Sequence, residues 1–203
     1  MKGSQLLPLF RSQTQADLLA LLFLNPEKEF SMTDVSKLIG VSLPGVHHEV
    51  VRLVKAGYIN DRRQGNSRMI SAQKDSLIAQ PLADLLTVTH GPLPVLAEEL
   101  SGIRGIESAY IFGSWASRYS GAAGPIPKDI DVLVVGTTDL DDLDVAAQRA
   151  QKKLLREVNV RRVTSKDWMA TLGANESDVA SNAFLTTVRL NPIVEIPLSK
   201  NLL

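Results

Sequence analysis

The sequence predicts a mixed α/β chain, α+β in detail, of two domains: a helical N-terminal part that ends in a β-hairpin, and a C-terminal part on a small mixed sheet. Three observations predict it. Apolar residues recur at helical spacing through Leu18–Leu24, Met32–Leu38 and Val46–Val54; two short strands bounded by turn residues follow; and two apolar strands, Ala109–Phe112 and Ile130–Gly136, stand among further helical segments. A length of 203 residues suits two small domains better than one.

Composition narrows the class. Hydrophobic residues make up 44% and charged residues 22% of the chain, an ordinary globular mix that excludes a disordered or fibrous protein. The longest apolar run, around Leu18–Leu24, falls far short of the roughly 20 residues that cross a bilayer, and no signal-peptide pattern opens the sequence. A cytoplasmic chain with no membrane partner is expected. The absence of cysteine rules out disulfides and thiolate chemistry, and three histidines are too few for a histidine-rich metal centre. Net charge is zero but unevenly spread: residues 1–75 hold ten Lys or Arg against seven Asp or Glu, and the remainder twelve against fifteen. The N-terminal part is the one suited to a polyanion.

Each element follows from local chemistry. A helix is expected from about Leu9 to Leu24, where five leucines and their neighbours form a wide apolar stripe, and Asn25-Pro26 breaks it. A short helix follows, with Ser31 as N-cap and Asp34 three residues on, close to a capping box, and it ends at Gly40. After three residues a third helix opens with Pro44 in its first turn, where a missing N–H costs nothing, and Gly57 closes it. Tyr58–Asn60 and Arg68–Ile70 read as strands joined by a basic loop, Asp61–Ser67, that contains the turn pair Gly65-Asn66.

Helix, short helix, tight turn, helix and basic hairpin is an order that resembles the winged helix-turn-helix of bacterial regulators of the arsenic-repressor and multiple-antibiotic-repressor type, over about residues 10–75. The resemblance implies that the third helix enters the major groove by its N-terminal part while the wing follows phosphates or the minor groove. Carried onto this sequence, it nominates Ser42, Pro44, Gly45, His47, His48 and Arg52 on the helix, and Arg62, Arg63 and Arg68 on the wing, as contacts to double-stranded DNA. The same positions also suit a solvated surface, and the same fold serves as a dimerisation or protein-docking module.

Residues 76–90 form a linking helix that packs on either domain or pairs with a second chain, and Pro92 and Pro94 mark the boundary, giving domains of 1–75 and 91–203. In the second domain, a strand (Ala109–Phe112) runs into Gly113-Ser114-Trp115, and a later strand opens with Asp129-Ile130-Asp131. Side chains reverse face at each strand residue, so Asp129 and Asp131 share a side while Ile130 and Val132 enter the core. Two adjacent carboxylates are costly to keep ionised without a cation, which points to Mg²⁺ carrying a nucleoside triphosphate. Gly113 admits close approach of the backbone, and Ser114 stands at the start of a short helix whose free N–H groups favour phosphate.

Gly113-Ser114 followed, after fourteen intervening residues, by Asp129-x-Asp131 and an apolar strand resembles the nucleotidyltransferase superfamily of DNA polymerase beta type, in its minimal bacterial branch. The resemblance implies catalytic and metal-binding roles for Asp129 and Asp131, and nucleotide contacts at Gly113 and Ser114. It also implies a third carboxylate on the next strand. That strand reads Val158–Val163, and the expected position is Asn159 or Arg161; neither is an acid. Glu157 or Glu195 substitutes only if the backbone brings it to Asp131. Arg118, Lys128, Arg161 and Arg162 are phosphate candidates or ordinary surface charges, and Trp115 is a packing residue. Ser165 is the expected N-cap of a short helix, and Asp178–Leu190 a closing helix.

The expected function is a dimeric DNA-binding transcriptional regulator whose second domain retains a nucleotide. The alternative is an active Mg²⁺-dependent nucleotidyltransferase that modifies a protein or small-molecule hydroxyl, with a toxin or other protein as partner.

Overall fold

The computed structural model describes residues 9–172 and 183–199. The chain divides between Gly91 and Pro92 into two compact units. The first runs α1 (Gln13–Phe23), β1 (Phe30–Ser31), α2 (Met32–Ile39), α3 (Leu43–Lys55), β2 (Ile59–Gln64), β3 (Ser67–Ala72) and α4 (Ala79–His90), with its strands in the order β1-β3-β2, all antiparallel. Helix α1 starts later than the sequence suggested, at Gln13, because the Ser12 hydroxyl caps it by accepting the Gln15 N–H at 3.1 Å. Its stripe is wide because it is the central helix: Ala16, Leu18 and Leu22 have no exposed surface.

The joint between α2 and α3 is fixed by short-range bonds. Ser31 caps α2 by accepting the Asp34 N–H at 3.1 Å and donates its own hydroxyl proton to the Asp34 carboxylate at 2.7 Å. Gly40 ends the helix in the left-handed region at φ +67°, and the chain returns so that Val41 donates to the Ser36 carbonyl while the Ser36 hydroxyl donates to that of Val41. Helix α3 then buries Val46, Glu49, Val50 and Leu53 along one side. This arrangement is a winged helix-turn-helix.

The hairpin is longer than expected. In place of a seven-residue loop, the ladder continues to Gln64↔Ser67, and only Gly65 and Asn66 turn, Gly65 at φ +59°. The exposed polar residues 61–64 hide the strand from a hydrophobic-alternation reading. Helix α4 lies on α1, burying Ala79, Ala83 and Leu86, so the linking helix is part of the first unit.

The second unit runs α5 (Pro92–Leu100), β4 (Ile106–Phe112), α6 (Gly113–Tyr119), β5 (Asp129–Gly136), α7 (Leu140–Leu154), β6 (Glu157–Val163), α8 (Ser165–Met169), α9 (Ala183–Leu190) and β7 (Val194–Glu195). The sheet order is β6-β5-β4-β7, with β5 and β6 parallel and the other pairs antiparallel. Fully buried Ile130, Val132 and Val134 face Leu96, Leu100, Trp115, Leu143 and Ala150 on one side of the sheet. Each such side chain contributes about 1.5–3 kcal/mol by leaving water. On the other side Leu133 and Val135 face Trp168, Leu185 and Val188. The cap of α8 is Thr164 rather than Ser165: Thr164 accepts the Asp167 N–H at 3.1 Å, and Ser165 is already helical. Of the closing helix, Ala183–Leu190 is observed, while Asp178 and Val179 lie outside the described residues.

Candidate functional site

The two strands that carry the motifs meet at one end of the second sheet. Antiparallel register sets Phe112 opposite Asp131; parallel register sets Glu157 beside Asp129 and Asn159 beside Asp131. All five side chains therefore share a face. Gly113, directly after Phe112, has φ +71°, and a Cβ there would stand 2.9 Å from Asp131 Oδ2. A side chain there would be strained by that φ and would push the carboxylate oxygen aside. Ser114 follows with its side chain exposed, Asp129 is exposed and Asp131 half-buried.

Register places Asn159 rather than Arg161 beside Asp131, and its amide donates to that carboxylate. Glu195 is registered on Tyr110, on the far side of β4, and Glu157 on Asp129 rather than Asp131. Among the described residues no three acidic, histidine or cysteine side chains form a group able to hold a metal ion. Two carboxylates and an amide are what this end of the sheet offers.

Burial, and next the neighbouring Asp129, push the Asp131 carboxyl above the ordinary carboxylate value, opposed by the hydrogen bond from Asn159. The folded state thus holds the proton more tightly than the unfolded chain, and stability falls as pH rises through the carboxylate range. Asp131→Asn is accordingly expected to raise the melting temperature at pH 7, with the gain fading below the ordinary value of 3.8. Melting curves at pH 7 and pH 3 check this, and a wild type more stable than the variant at pH 7 contradicts it.

Other sequence candidates have structural duties. The Arg118 guanidinium donates to the Ala122 and Gly124 carbonyls at 3.1 and 3.2 Å, folding the loop that leads to β5. Arg162 donates to the Thr138 carbonyl, and Trp115 is buried in the core. Lys128 is exposed beside Asp129 with no hydrogen bond or ion pair among the described residues. An open pocket of about 760 Å³, lined by Leu100, Ile103, Ile106, Ile196 and Leu198, lies at the opposite end of β4 from the aspartates.

In the first unit, Ser42, the N-cap of α3, and Pro44, His47 and His48 within it are exposed, whereas Gly45 is half-buried. Arg52 is drawn back: it is half-buried and bonds Glu49 at 3.3 Å, whose other carboxylate oxygen is buried without a hydrogen bond. The same helix exposes Lys55, which the sequence reading passed over although it stands eight residues, just over two turns, beyond His47. The wing arginines differ. Arg62 forms a two-pronged ion pair with Glu29, and Arg68 pairs with Asp61 at 2.7 Å. Arg63 is exposed with no such partner among the described residues.

Fold and site together define a two-part class: a winged helix-turn-helix unit followed by a mixed-sheet unit with paired carboxylates at a glycine bend. No family model and no curated protein matches the chain. Among solved structures it is similar to reduced HlyU from Vibrio cholerae, at 18% identity over 41% of this chain and 82% of that one, with a TM-score of 0.34. It is also similar to MepR, a transcription regulator of the Staphylococcus aureus multidrug efflux pump MepA, at 15% identity over 41% of this chain and 61% of that one, with a TM-score of 0.35. The winged-helix assignment rests on element order and strand register within the first unit. No helix among the described residues is long and apolar enough to cross a membrane.

Proposed function

We infer that the chain is a DNA-binding transcriptional regulator whose second unit is a nucleotidyltransferase-like domain that binds a Mg²⁺-carried nucleoside triphosphate without transferring it. The observation that carries the reading is the space that Gly113 leaves for Asp131, whose carboxylate a Cβ there would meet at 2.9 Å, flanked by Asn159 where the resemblance calls for a third acid. Magnesium keeps much of its water and is commonly held by one or two carboxylates together with phosphate oxygens, a demand that Asp129 and Asp131 meet. A second ion lacks its charge partner, because the Asn159 amide turns a donor toward Asp131. Bound metal supplies neutralisation of phosphate charge; Gly113 and Ser114 supply the bend against which the phosphates rest.

The DNA-binding half of the reading is supported by the exposed outer face of α3 and by the wing. A mobility-shift assay on the chain's own upstream region, with and without ATP and Mg²⁺, tests it. Salt-sensitive retardation is expected, and no binding to any sequence at low salt would sink it. Because Arg62 is already paired, Arg63→Ala is expected to lower the slope of log affinity against log salt by about 1, and Arg62→Ala by less. Glu29→Gln, which frees Arg62, should tighten non-specific binding. Equal slopes for both arginine variants contradict this.

A homodimer fits the same reading, since two half-sites one helical turn apart strengthen a weak single contact. Helix α4 exposes Leu85 and Val88 beside half-buried Leu82, and its N-cap Ile78 is exposed as well. Leu85→Asp is expected to convert a dimer to a monomer in analytical ultracentrifugation; a wild-type monomer at micromolar concentration contradicts the proposal. A second reading, an active transferase acting on a protein or small-molecule hydroxyl in the manner of an antitoxin, requires Asp129 and Asp131 to hold the metal without a third acid, because Glu157 stands beside Asp129 rather than Asp131. Pyrophosphate release by the wild-type chain with labelled nucleotides decides for it.

A further inference from the structure

Among the described residues, the face of the paired carboxylates carries a cation, Arg161, that no acid pairs. Arg161 follows Asn159 by two residues on β6, so the two side chains share a side, and its register partner is Leu133, one tier from Asp131. It is exposed and makes no hydrogen bond or ion pair among the described residues. Its guanidinium carbon instead lies 4.0 Å from the ring centroid of Phe184. Phe184, half-buried in the first turn of α9, meets the ring of Phe112 edge-on at 5.6 Å, and Phe112 is registered on Asp131. A continuous row of side chains thus runs from the Arg161 guanidinium to the carboxylate.

Stacking on a ring differs from an ion pair in what it leaves available. The ring takes the flat face of the guanidinium, while the N–H donors in its plane stay open to an anion. Arg189 shows the contrary case: it stacks on Trp168 at 3.8 Å, but its Nε donates to the Thr171 hydroxyl and its Nη2 to the Trp168 carbonyl. Arg118, Arg156 and Arg162 likewise donate to backbone carbonyls. Arg161 is held in place yet keeps its fork open among the described residues, the geometry that recognises two phosphate oxygens at once.

We propose that Arg161, positioned by Phe184, is a phosphate-binding residue of the aspartate face and grips the outer phosphates of a nucleoside polyphosphate. It supplies as a fixed charge part of what a second metal ion supplies where a third carboxylate is present. This rests on the nucleotide reading of Asp129 and Asp131 and adds to it a dependence on phosphate number.

Titration calorimetry of the full chain with ATP and with AMP, each with Mg²⁺, tests it on the wild type, Arg161→Ala, Arg161→Lys and Phe184→Leu. Arg161→Ala is expected to weaken ATP at least tenfold and AMP less than twofold, with a melting temperature lowered by no more than a few degrees through loss of the contact with Phe184. Arg161→Lys should recover only part of the loss, and Phe184→Leu should weaken ATP more than AMP. If the wild type binds ATP and Arg161→Ala binds both nucleotides as the wild type does, or weakens both equally, the assignment of Arg161 falls and the nucleotide reading stands. If the wild type binds neither nucleotide, the reading of the aspartate pair falls, and Arg161 with it.

Discussion

Replacing Asn159 by aspartate is expected to make the chain release pyrophosphate from a nucleoside triphosphate in the presence of Mg²⁺, the nucleoside monophosphate passing to water or a supplied hydroxyl, at least about a hundredfold faster than the wild type, the scale on which a missing acid-base or metal-holding group acts. The substitution changes one atom group and almost no volume. Parallel register already sets position 159 beside Asp131, so a carboxylate there joins Asp129 and Asp131 on one face. In the absence of metal the three like charges repel, and the melting temperature of Asn159→Asp should fall below that of the wild type and recover on adding Mg²⁺. Pyrophosphate assays and melting curves with and without EDTA measure both effects. A wild type that turns over as fast as the variant contradicts the account.

Gly113→Ala is the second large effect. A non-glycine residue at φ +71° costs on the order of 1–3 kcal/mol, and the added Cβ would also stand 2.9 Å from Asp131 Oδ2. Gly40→Ala and Gly65→Ala separate the two causes, because both positions have similar φ, +67° and +59°, with open space around the added atom. Gly113→Ala should therefore destabilise more than either control and alone abolish nucleotide binding. Equal destabilisation by all three, with binding intact, would show that the bend and the carboxylate are independent.

Much of this was legible before any coordinates. Helix ends were announced by Ser31, Gly40, Pro44 and Gly57, because capping is a local bargain between one side chain and one turn. The paired aspartates were legible because strand side chains alternate. What the sequence hid was register. Asn159 and Arg161 are both compatible with the third position until parallel pairing assigns Asn159 to Asp131 and Arg161 to Leu133. Ion pairs were hidden for a similar reason: Glu29 and Arg62 are 33 residues apart, and only the hairpin brings them together. The extent of the wing was missed because an exposed ribbon carries no apolar alternation, and β1 because two residues have no periodicity. The role of Phe184 depends on a contact between α9 and β6 that no local pattern encodes.

The aspartate pair facing the glycine bend bears the greatest weight, and one titration reaches it directly. ATP is added to the wild-type chain with Mg²⁺, then with EDTA, and then to Asp131→Ala with Mg²⁺. Saturable binding in the first case and its loss in the other two is the predicted result; heat that is absent throughout, or that persists without metal and without the carboxylate, contradicts it.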